Sequence, residues 1–255
     1  MILTIDIGNT HTSAALFDGP DTPHHWTLAT VLHRTADEYF VVVDRLLSVD
    51  GVDRSRIRGA IIASVVPPLT AVWGDLAGRL VGKDNVLIMD AETPTGVENR
   101  YDSPRDVGAD RLANAVAAKA ACGCPVIVVD FGTATTLDVV STDGAYLGGA
   151  ILPGLDLSAE ALYTKTARLP RVSVVDPGSA IGNSTDRSIQ AGIFYGTLGA
   201  IDSLIERMWA ELGGPCAVLA TGGNGEAFAR ASRFIERYDP FLTLRGLNEI
   251  WRLNR

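Results

Sequence analysis

Along this chain, short runs of β-branched and aliphatic residues alternate with longer stretches in which apolar side chains recur every three or four positions. Residues 2–6 form the first such run and 12–17 the next, so the chain opens with a strand and its hairpin partner. Residues 20–26 are polar and contain prolines, which reads as a loop. Over 33–47, Tyr39, Val43, Leu46 and Leu47 trace one apolar face, the signature of a helix packed on a core. A buried strand at 60–65 stops at Pro67-Pro68, followed by a helix at 69–80 and a strand at 86–89. This part therefore reads β-β-α-β-α-β, with its strands covered on both faces. After a stretch rich in Pro, Gly, Asn and Asp at 91–107, the pattern predicts a helix over 109–121 and a buried strand over 126–129 with its own hairpin. A helix over 157–167, a Pro/Gly-rich loop and a long helix from Ser184-Thr185-Asp186 to Leu212 follow. The chain closes with a strand at 216–220, a short helix, and a last helix at 243–254 that carries Trp251. Glycines 192, 196 and 199 mark one face of the long helix for close packing by another element.

The two opening hairpins share a plan. Asp6-Ile7-Gly8-Asn9-Thr10-His11-Thr12-Ser13 follows one strand, and Asp130-Phe131-Gly132-Thr133-Ala134-Thr135-Thr136 follows the other. Aligning Asp6 with Asp130 also matches Gly8 with Gly132 and Thr12 with Thr136, and sets the turn Asp18-Gly19 against Asp143-Gly144. A single Asp-x-Gly is common by chance. Two copies, each between a buried strand and its return and half a chain apart, indicate duplicated halves facing one nucleotide. The chemistry agrees: turn N–H groups and hydroxyls donate to phosphate oxygens, and a strand-end carboxylate suits the accompanying cation. A third glycine turn, Thr221-Gly222-Gly223, ends the later strand, and a helix-start carboxylate, Asp110, completes the set. There is no G-x-x-x-x-G-K-[ST] and no strand followed by G-x-G-x-x-G, so phosphate binding falls to the hairpin turns.

Composition narrows the class. At 255 residues the chain can bury one large or two modest cores, and 47% hydrophobic residues exclude a disordered chain. A net charge of −8 without a basic patch argues against a nucleic-acid partner. The first residues lack a basic signal-peptide region, and no apolar run is long enough to span a bilayer, so a soluble, cytoplasmic chain is expected. Cys122, Cys124 and Cys216 lack C-x-x-C spacing, and His11, His24, His25 and His33 lack metal-ligand spacing, so no structural zinc is expected.

With these residues in view, the paired Asp-x-Gly hairpins and the later Thr-Gly-Gly resemble the acetate kinase, sugar kinase, Hsp70 and actin superfamily. Asp6-Ile7-Gly8-Asn9-Thr10, Gly108-Ala109-Asp110-Arg111, Asp130 to Thr136 and Gly148-Gly149-Ala150-Ile151-Leu152-Pro153-Gly154 are similar, in order, to the motifs of type III pantothenate kinases. The resemblance implies an α/β fold of two duplicated ribonuclease H-like halves with mixed five-stranded sheets and a nucleotide cleft between them. The halves are expected at 1–105 and 106–255, with the C-terminal helix free to pack back on the first. It further implies transfer of the ATP γ-phosphoryl group to pantothenate, giving 4′-phosphopantothenate, the first step towards coenzyme A. By motif, Asp110 is the general base. Asp6, Ile7, Gly8, Asn9, Thr10, His11, Thr12 and Ser13 wrap the phosphates, with Asp6 near Mg²⁺, and Thr133 contacts ATP. Asp130 holds a monovalent cation, K⁺ or NH₄⁺. Tyr101, Gly108, Ala109, Asp110, Arg111 and Thr185 line the pantothenate pocket, and a homodimer is the expected assembly.

Each residue has a plainer reading. Asp110 at a helix start stabilises the macrodipole, Arg111 makes a surface ion pair, Tyr101 packs in its loop, Thr185 competes with Ser184 and Asp186 for a cap, and His11 caps its turn. The same residues also suit another small-molecule kinase of the superfamily, or a non-catalytic regulatory protein.

Overall fold

The structure is a computed structural model that describes residues 1–19 and 24–255. Its strands are β1 (Ile2–Ile7), β2 (His11–Phe17), β3 (His24–Ala29), β4 (Gly59–Ser64), β5 (Val86–Ile88), β6 (Val126–Phe131), β7 (Ala134–Val140), β8 (Tyr146–Pro153), β9 (Ala217–Thr221) and β10 (Arg237–Tyr238). The α-helices are α1 (Ala36–Val49), α2 (Pro67–Val81), α3 (Ala109–Cys122), α4 (Leu155–Lys165), α5 (Thr185–Leu212), α6 (Gly225–Ala231) and α7 (Leu242–Leu253). The chain divides into two compact units. Met1–Ala117 with Phe241–Arg255 forms the first and Ala118–Pro240 the second, the division falling inside α3.

In the first unit the sheet order is β3-β2-β1-β4-β5, with β1 antiparallel to β2 and parallel to β4. Leu3, Ile5 and Ile7 alternate inwards from β1 and meet Tyr39 and Val43 of α1 and Leu69, Trp73 and Leu76 of α2. Each fully buried side chain of this size stabilises the fold by about 1.5–3 kcal/mol. The Tyr39 and Trp73 rings lie 4.8 Å apart, tilted by 42°. Helix α1 begins at a capping box, in which Glu38 N donates to Thr35 Oγ1 and Thr35 N to Glu38 Oε2. Pro67 and Pro68 end no helix and start one instead, filling the first turn of α2, where N–H groups have no helical acceptor.

The second unit repeats the plan. Its order is β10-β9-β6-β7-β8, and β6 is antiparallel to β7 and parallel to β9. Its core gathers Phe131, Phe194 and Phe228 against Ile193, Ile201 and Ile205 of α5, the Phe228 ring centroid lying 4.7 Å from that of Phe131 and 4.6 Å from that of Phe194. The glycine run at 148–149 is strand, not turn: a Cβ on Gly149 would stand inside the Leu137 carbonyl of β7. Both sheets are thus mixed and five-stranded in an α/β fold. Among the described residues no helix is long and apolar enough to cross a membrane.

Three expectations change. The stretch 20–26 is not all loop: residues 24–26 belong to β3, and residues 20–23 lie outside the described residues. The first part is therefore β-β-β-α-β-α-β. Strand β3 alternates half-buried and exposed positions at the sheet edge, so it shows no apolar run. Second, the hairpins align differently. Asp6 pairs with Ser13 and Asp130 with Thr136, so Ser13, not Thr12, corresponds to Thr136, and Thr12 corresponds to Thr135. The first turn is one residue longer, which shifts every later match. Third, among the described residues nothing lies within 4 Å of a Cβ added at Gly192, Gly196 or Gly199, so no other described element covers that helix face.

Helix α7 packs on β1 and β4 within the first unit. A Cβ on Gly246 would overlap the Ala113 carbonyl of α3, so backbone meets backbone there. In a solvated helix Gly→Ala stabilises by up to about 1 kcal/mol. Here the collision outweighs that gain, because neither backbone can rotate away. Gly246→Ala is expected to destabilise the protein by about 1–3 kcal/mol in urea unfolding, and a neutral or stabilising result would show that the contact is loose.

Candidate functional site

Two parallel strands of the first unit, β1 and β4, end at the same edge. Asp6 lies on β1 opposite Ser13 on one side and Ala63 on the other, half-buried near the carboxyl end of the sheet. The chain then turns tightly. Gly8 N donates to His11 O at 3.0 Å, and a Cβ on Gly8 would stand 3.0 Å from that same carbonyl. Thr30, past the end of β3, braces the turn. Its N–H donates to Thr10 O at 3.0 Å, its hydroxyl donates to Gly8 O at 2.7 Å, and Thr12 Oγ1 lies 3.0 Å from Thr30 Oγ1. Thr12 is buried and its hydroxyl belongs to this brace. Asn9, Thr10 and His11 are exposed at the tip, and Ser13 is half-buried.

The Gly108 turn reaches the same sheet end. Val65, one residue past β4, donates its N–H to Ile7 O at 3.0 Å, and its Cγ1 lies 3.5 Å from where a Cβ on Gly108 would stand. Gly108 O accepts from Arg111 N at 3.1 Å and Leu112 N at 3.3 Å, which opens α3. Asp110 folds its carboxylate back, and Oδ1 accepts the Arg111 N–H at 2.9 Å. This places Oδ1 where a side chain at position 108 would have to go, so residue 108 must be glycine for the carboxylate to sit there. Burial pushes the Asp110 carboxyl above the ordinary carboxylate range, and the Arg111 N–H and guanidinium, which act the other way, only partly offset it. A solvated helix-start aspartate would shift downwards, so the macrodipole reading alone does not describe this residue. Arg111 is buried rather than a surface ion-pair partner. Ala109 is half-buried as the first residue of α3. Tyr101 is half-buried in the loop before α3, where its N–H donates to Asn99 Oδ1 at 3.1 Å.

The second unit has its own strand-end carboxylate. Asp130 of β6 lies opposite Thr136 of β7 and Thr221 of β9. Gly222 follows in the left-handed region at φ 85°, and a Cβ there would stand 2.6 Å from Asp130 Oδ1 and from Phe131 O. A Cβ on Gly132 would stand 3.6 Å from the same carboxylate oxygen. The Asp130 carboxylate thus sits in a glycine-walled cradle. Thr133 is exposed at the tip of the β6–β7 turn, and its carbonyl accepts from Gly154 N at 3.1 Å. Thr136 donates to Asp138 Oδ2 at 2.9 Å, and Tyr146 donates to Asp138 Oδ1 at 2.8 Å. Asp138 and Tyr146 are fully buried and lie in none of the turns that sequence reasoning singled out. Tyr238 was missed as well. Burial, followed by the carboxylates of Glu226, Asp239 and Asp130, pushes its phenol pKa up, so it stays protonated and donates to Gly222 O at 3.1 Å.

Thr185 is the first residue of α5, and Ser184 is the cap, its hydroxyl accepting from Arg187 N at 3.3 Å. Exposed, Thr185 lines a groove of about 640 Å³ together with Leu152, Pro153, Leu162, Ile189 and Gly192. The structure therefore brings Asp6 to Ser13 and Gly108 to Arg111 to one sheet end of the first unit. In the second unit it gathers Asp130, Thr133 and the Thr221 turn, with Thr185 at the groove beyond β8.

Comparison with known proteins agrees with these motifs. The family model described as Type III pantothenate kinase matches residues 2–207. A type III pantothenate kinase from Roseiflexus sp. (strain RS-1) is 44% identical over the whole of both chains. One from Paramagnetospirillum magneticum (strain ATCC 700264 / AMB-1) is 46% identical over all of this chain and 98% of its own length. Among solved structures, a Baf family protein from Campylobacter jejuni superposes with a TM-score of 0.63 at 22% identity, covering 99% of this chain and 98% of its own. The activator of 2-hydroxyisocaproyl-CoA dehydratase from Clostridium difficile gives 0.56 at 14% identity, covering 98% and 92%; at such identities the likeness concerns the fold alone. A family match over residues 2–207, relatives above 40% identity along the full chain, and the Gly108–Asp110 turn beside the β1 end together place this chain in the type III pantothenate kinase family.

Proposed function

We infer that the protein transfers the γ-phosphoryl group of ATP to the primary hydroxyl of pantothenate, producing 4′-phosphopantothenate for coenzyme A synthesis. The observation that carries this reading is the meeting of a glycine-closed phosphate-type turn and a partly desolvated carboxylate at one sheet end, through Ile7, Val65 and Gly108. Such a pairing suits an alcohol acceptor delivered to a phosphoryl donor. Asn9 and Thr10 are exposed at the tip, where turn N–H groups suit phosphate oxygens, and the Thr30 brace holds that tip in shape.

In the transfer, the acceptor oxygen forms a bond to the γ-phosphorus while the bond to the β–γ bridging oxygen breaks, its electron pair leaving with ADP. The proton of the alcohol passes to Asp110, whose carboxyl lies above the ordinary range and so holds a proton better than a solvated aspartate. The transition state is loose, so positioning and charge neutralisation carry most of the rate and the base a smaller part. The buried Arg111 stands next in sequence to the base and is suited to fix the acceptor's polar groups.

Kinases of this family use ATP with a divalent cation such as Mg²⁺, which neutralises charge on the transferring phosphates. The residues present fit a metal that arrives on the nucleotide: Asp6 offers one carboxylate beside the turn, and among the described residues no cluster of three His, Cys, Asp or Glu forms a cage. We further propose that Asp130, in its glycine-walled cradle, holds a monovalent cation, K⁺ or NH₄⁺, and that Thr133 contacts ATP. Tyr101 and Thr185 are assigned to the pantothenate pocket. The uncovered glycine face of α5 is proposed to meet a second copy of the chain in a homodimer.

ADP release in a coupled assay is expected to require pantothenate; equal turnover with acetate or a sugar would reject the acceptor assignment. Replacing K⁺ by Na⁺ is expected to lower the rate, and indifference to the swap would remove the cation from Asp130. Asp110→Asn is expected to lose about 10²-fold or more in turnover while still binding ATP. The same variant is expected to be more stable than the parent at neutral pH. The folded pKa of Asp110 is raised, so protonated Asp110 costs nothing below the unfolded value near 3.8, and stability is lost as pH rises through the folded value. The gap between the two melting curves should therefore shrink on acidification, and a gap that widens would show that Asp110 is stabilised as the anion.

A further inference from the structure

The turn that closes over Asp130 is held by Tyr238, a residue outside every nucleotide motif of the sequence. Parallel pairing of β10 with β9 sets Tyr238 beside Ala220, just before the turn. Its hydroxyl donates to Gly222 O at 3.1 Å, and the same carbonyl accepts from Gly225 N at 3.1 Å. Its ring packs on Gly225, where a Cβ would stand 2.7 Å from Cε2 and 3.5 Å from the Phe131 ring. Two donors on one carbonyl fix the orientation of the peptide between Gly222 and Gly223. A trans peptide points its N–H opposite to its C=O, so fixing the Gly222 carbonyl towards Tyr238 turns the Gly223 N–H away from it. Gly223 is exposed, and none of the described residues comes within 4 Å of where its Cβ would be. Without the phenol only the Gly225 N–H would hold this carbonyl, and Gly222, at φ 85° and lacking a side chain, would resist rotation of the peptide less.

We propose that Tyr238 is a positioning residue for ATP: by holding the Gly222 carbonyl it aims the Gly223 N–H at an oxygen of the nucleotide. This rests on the reading of the Thr221–Gly223 turn as a nucleotide contact. Tyr238 itself touches no substrate in this scheme. Gly222 and Gly225 meet it in the turn, its ring packs on the core of the second unit, and the carboxylates of Glu226, Asp239 and Asp130 act on its phenol as charges.

The test uses the full chain with Mg-ATP and pantothenate, and two variants. Tyr238→Phe keeps the ring on Gly225 and removes only the hydroxyl. Gly223→Ala places a methyl in the open space and so probes the turn itself. Tyr238→Phe is expected to raise the apparent KM for ATP by about three- to tenfold, the worth of one hydrogen bond, with kcat and the KM for pantothenate unchanged and the melting temperature lowered by no more than about 5 °C. A parental KM for ATP in Tyr238→Phe, with a raised one in Gly223→Ala, would overturn the role of Tyr238 and leave the turn assignment standing. If neither substitution moves the KM for ATP, the turn does not contact the nucleotide and both readings fall. A joint loss of kcat, both KM values and thermal stability in Tyr238→Phe would make the residue merely structural and also overturn the proposal.

Discussion

A carboxylate brought against backbone, at a distance no side chain would allow, is the constraint on which the rest of this structure depends. It occurs in each unit. Asp110 folds back onto Gly108, and Gly222 closes onto Asp130. Withdrawing a carboxylate from water is unfavourable unless donors or cations compensate, and a glycine neighbour lets backbone N–H groups and ligands approach where a Cβ would block them. The β1 and β4 strands, with Val65 joining Ile7 to the Gly108 turn, hold the first of these carboxylates in place. The hydrophobic faces of α1, α2 and α7 make that strand end rigid enough for a group so unfavourably placed to persist.

The two units show how one plan was adapted twice. Strands β1 to β5 and β6 to β10 have the same order and the same parallel and antiparallel pairings. Their turns differ by one residue, and that difference has chemical consequences. In the first unit Thr30 reaches over the turn and its hydroxyl binds both Gly8 O and Thr12. In the second, Gly154 makes the equivalent backbone bond to Thr133, and any side chain there would strike the shorter turn. Thr135, the counterpart of Thr12, is left with a buried hydroxyl that has no hydrogen-bond partner among the described residues. One turn is braced by a side chain and the other by backbone alone, so a single alignment by motif could not give both registers.

Much of this was legible in the sequence. The β-branched runs of β1, β4 and β6, the apolar stripe of α1 and the start of α5 near Ser184 all follow from local patterning. Two edge strands were not legible: β3 alternates at a half-exposed edge, and β10 is only two residues long, so neither carries an apolar run. The motifs around Asp6, Asp110 and Asp130 stood out because carboxylate, glycine and hydroxyls recur in order. Environment did not. That Thr12 is braced inwards, that Arg111 is buried and that burial raises Asp110 depend on residues distant in sequence, such as Thr30 and Val65. Tyr238 escaped notice because its partner is a backbone carbonyl, and backbone acceptors leave no mark in the sequence around a tyrosine.

The claim at the centre is that Asp110 is a desolvated carboxylate that must be ionised to take a proton from the acceptor. The most direct measurement is the pH dependence of kcat at saturating Mg-ATP and pantothenate, on protein whose fold is verified at each pH. The expected result is an acid limb whose midpoint lies clearly above the ordinary aspartate value of about 4. A rate that stays constant as the pH falls to that value would mean that the ionisation of this carboxylate does not govern phosphoryl transfer.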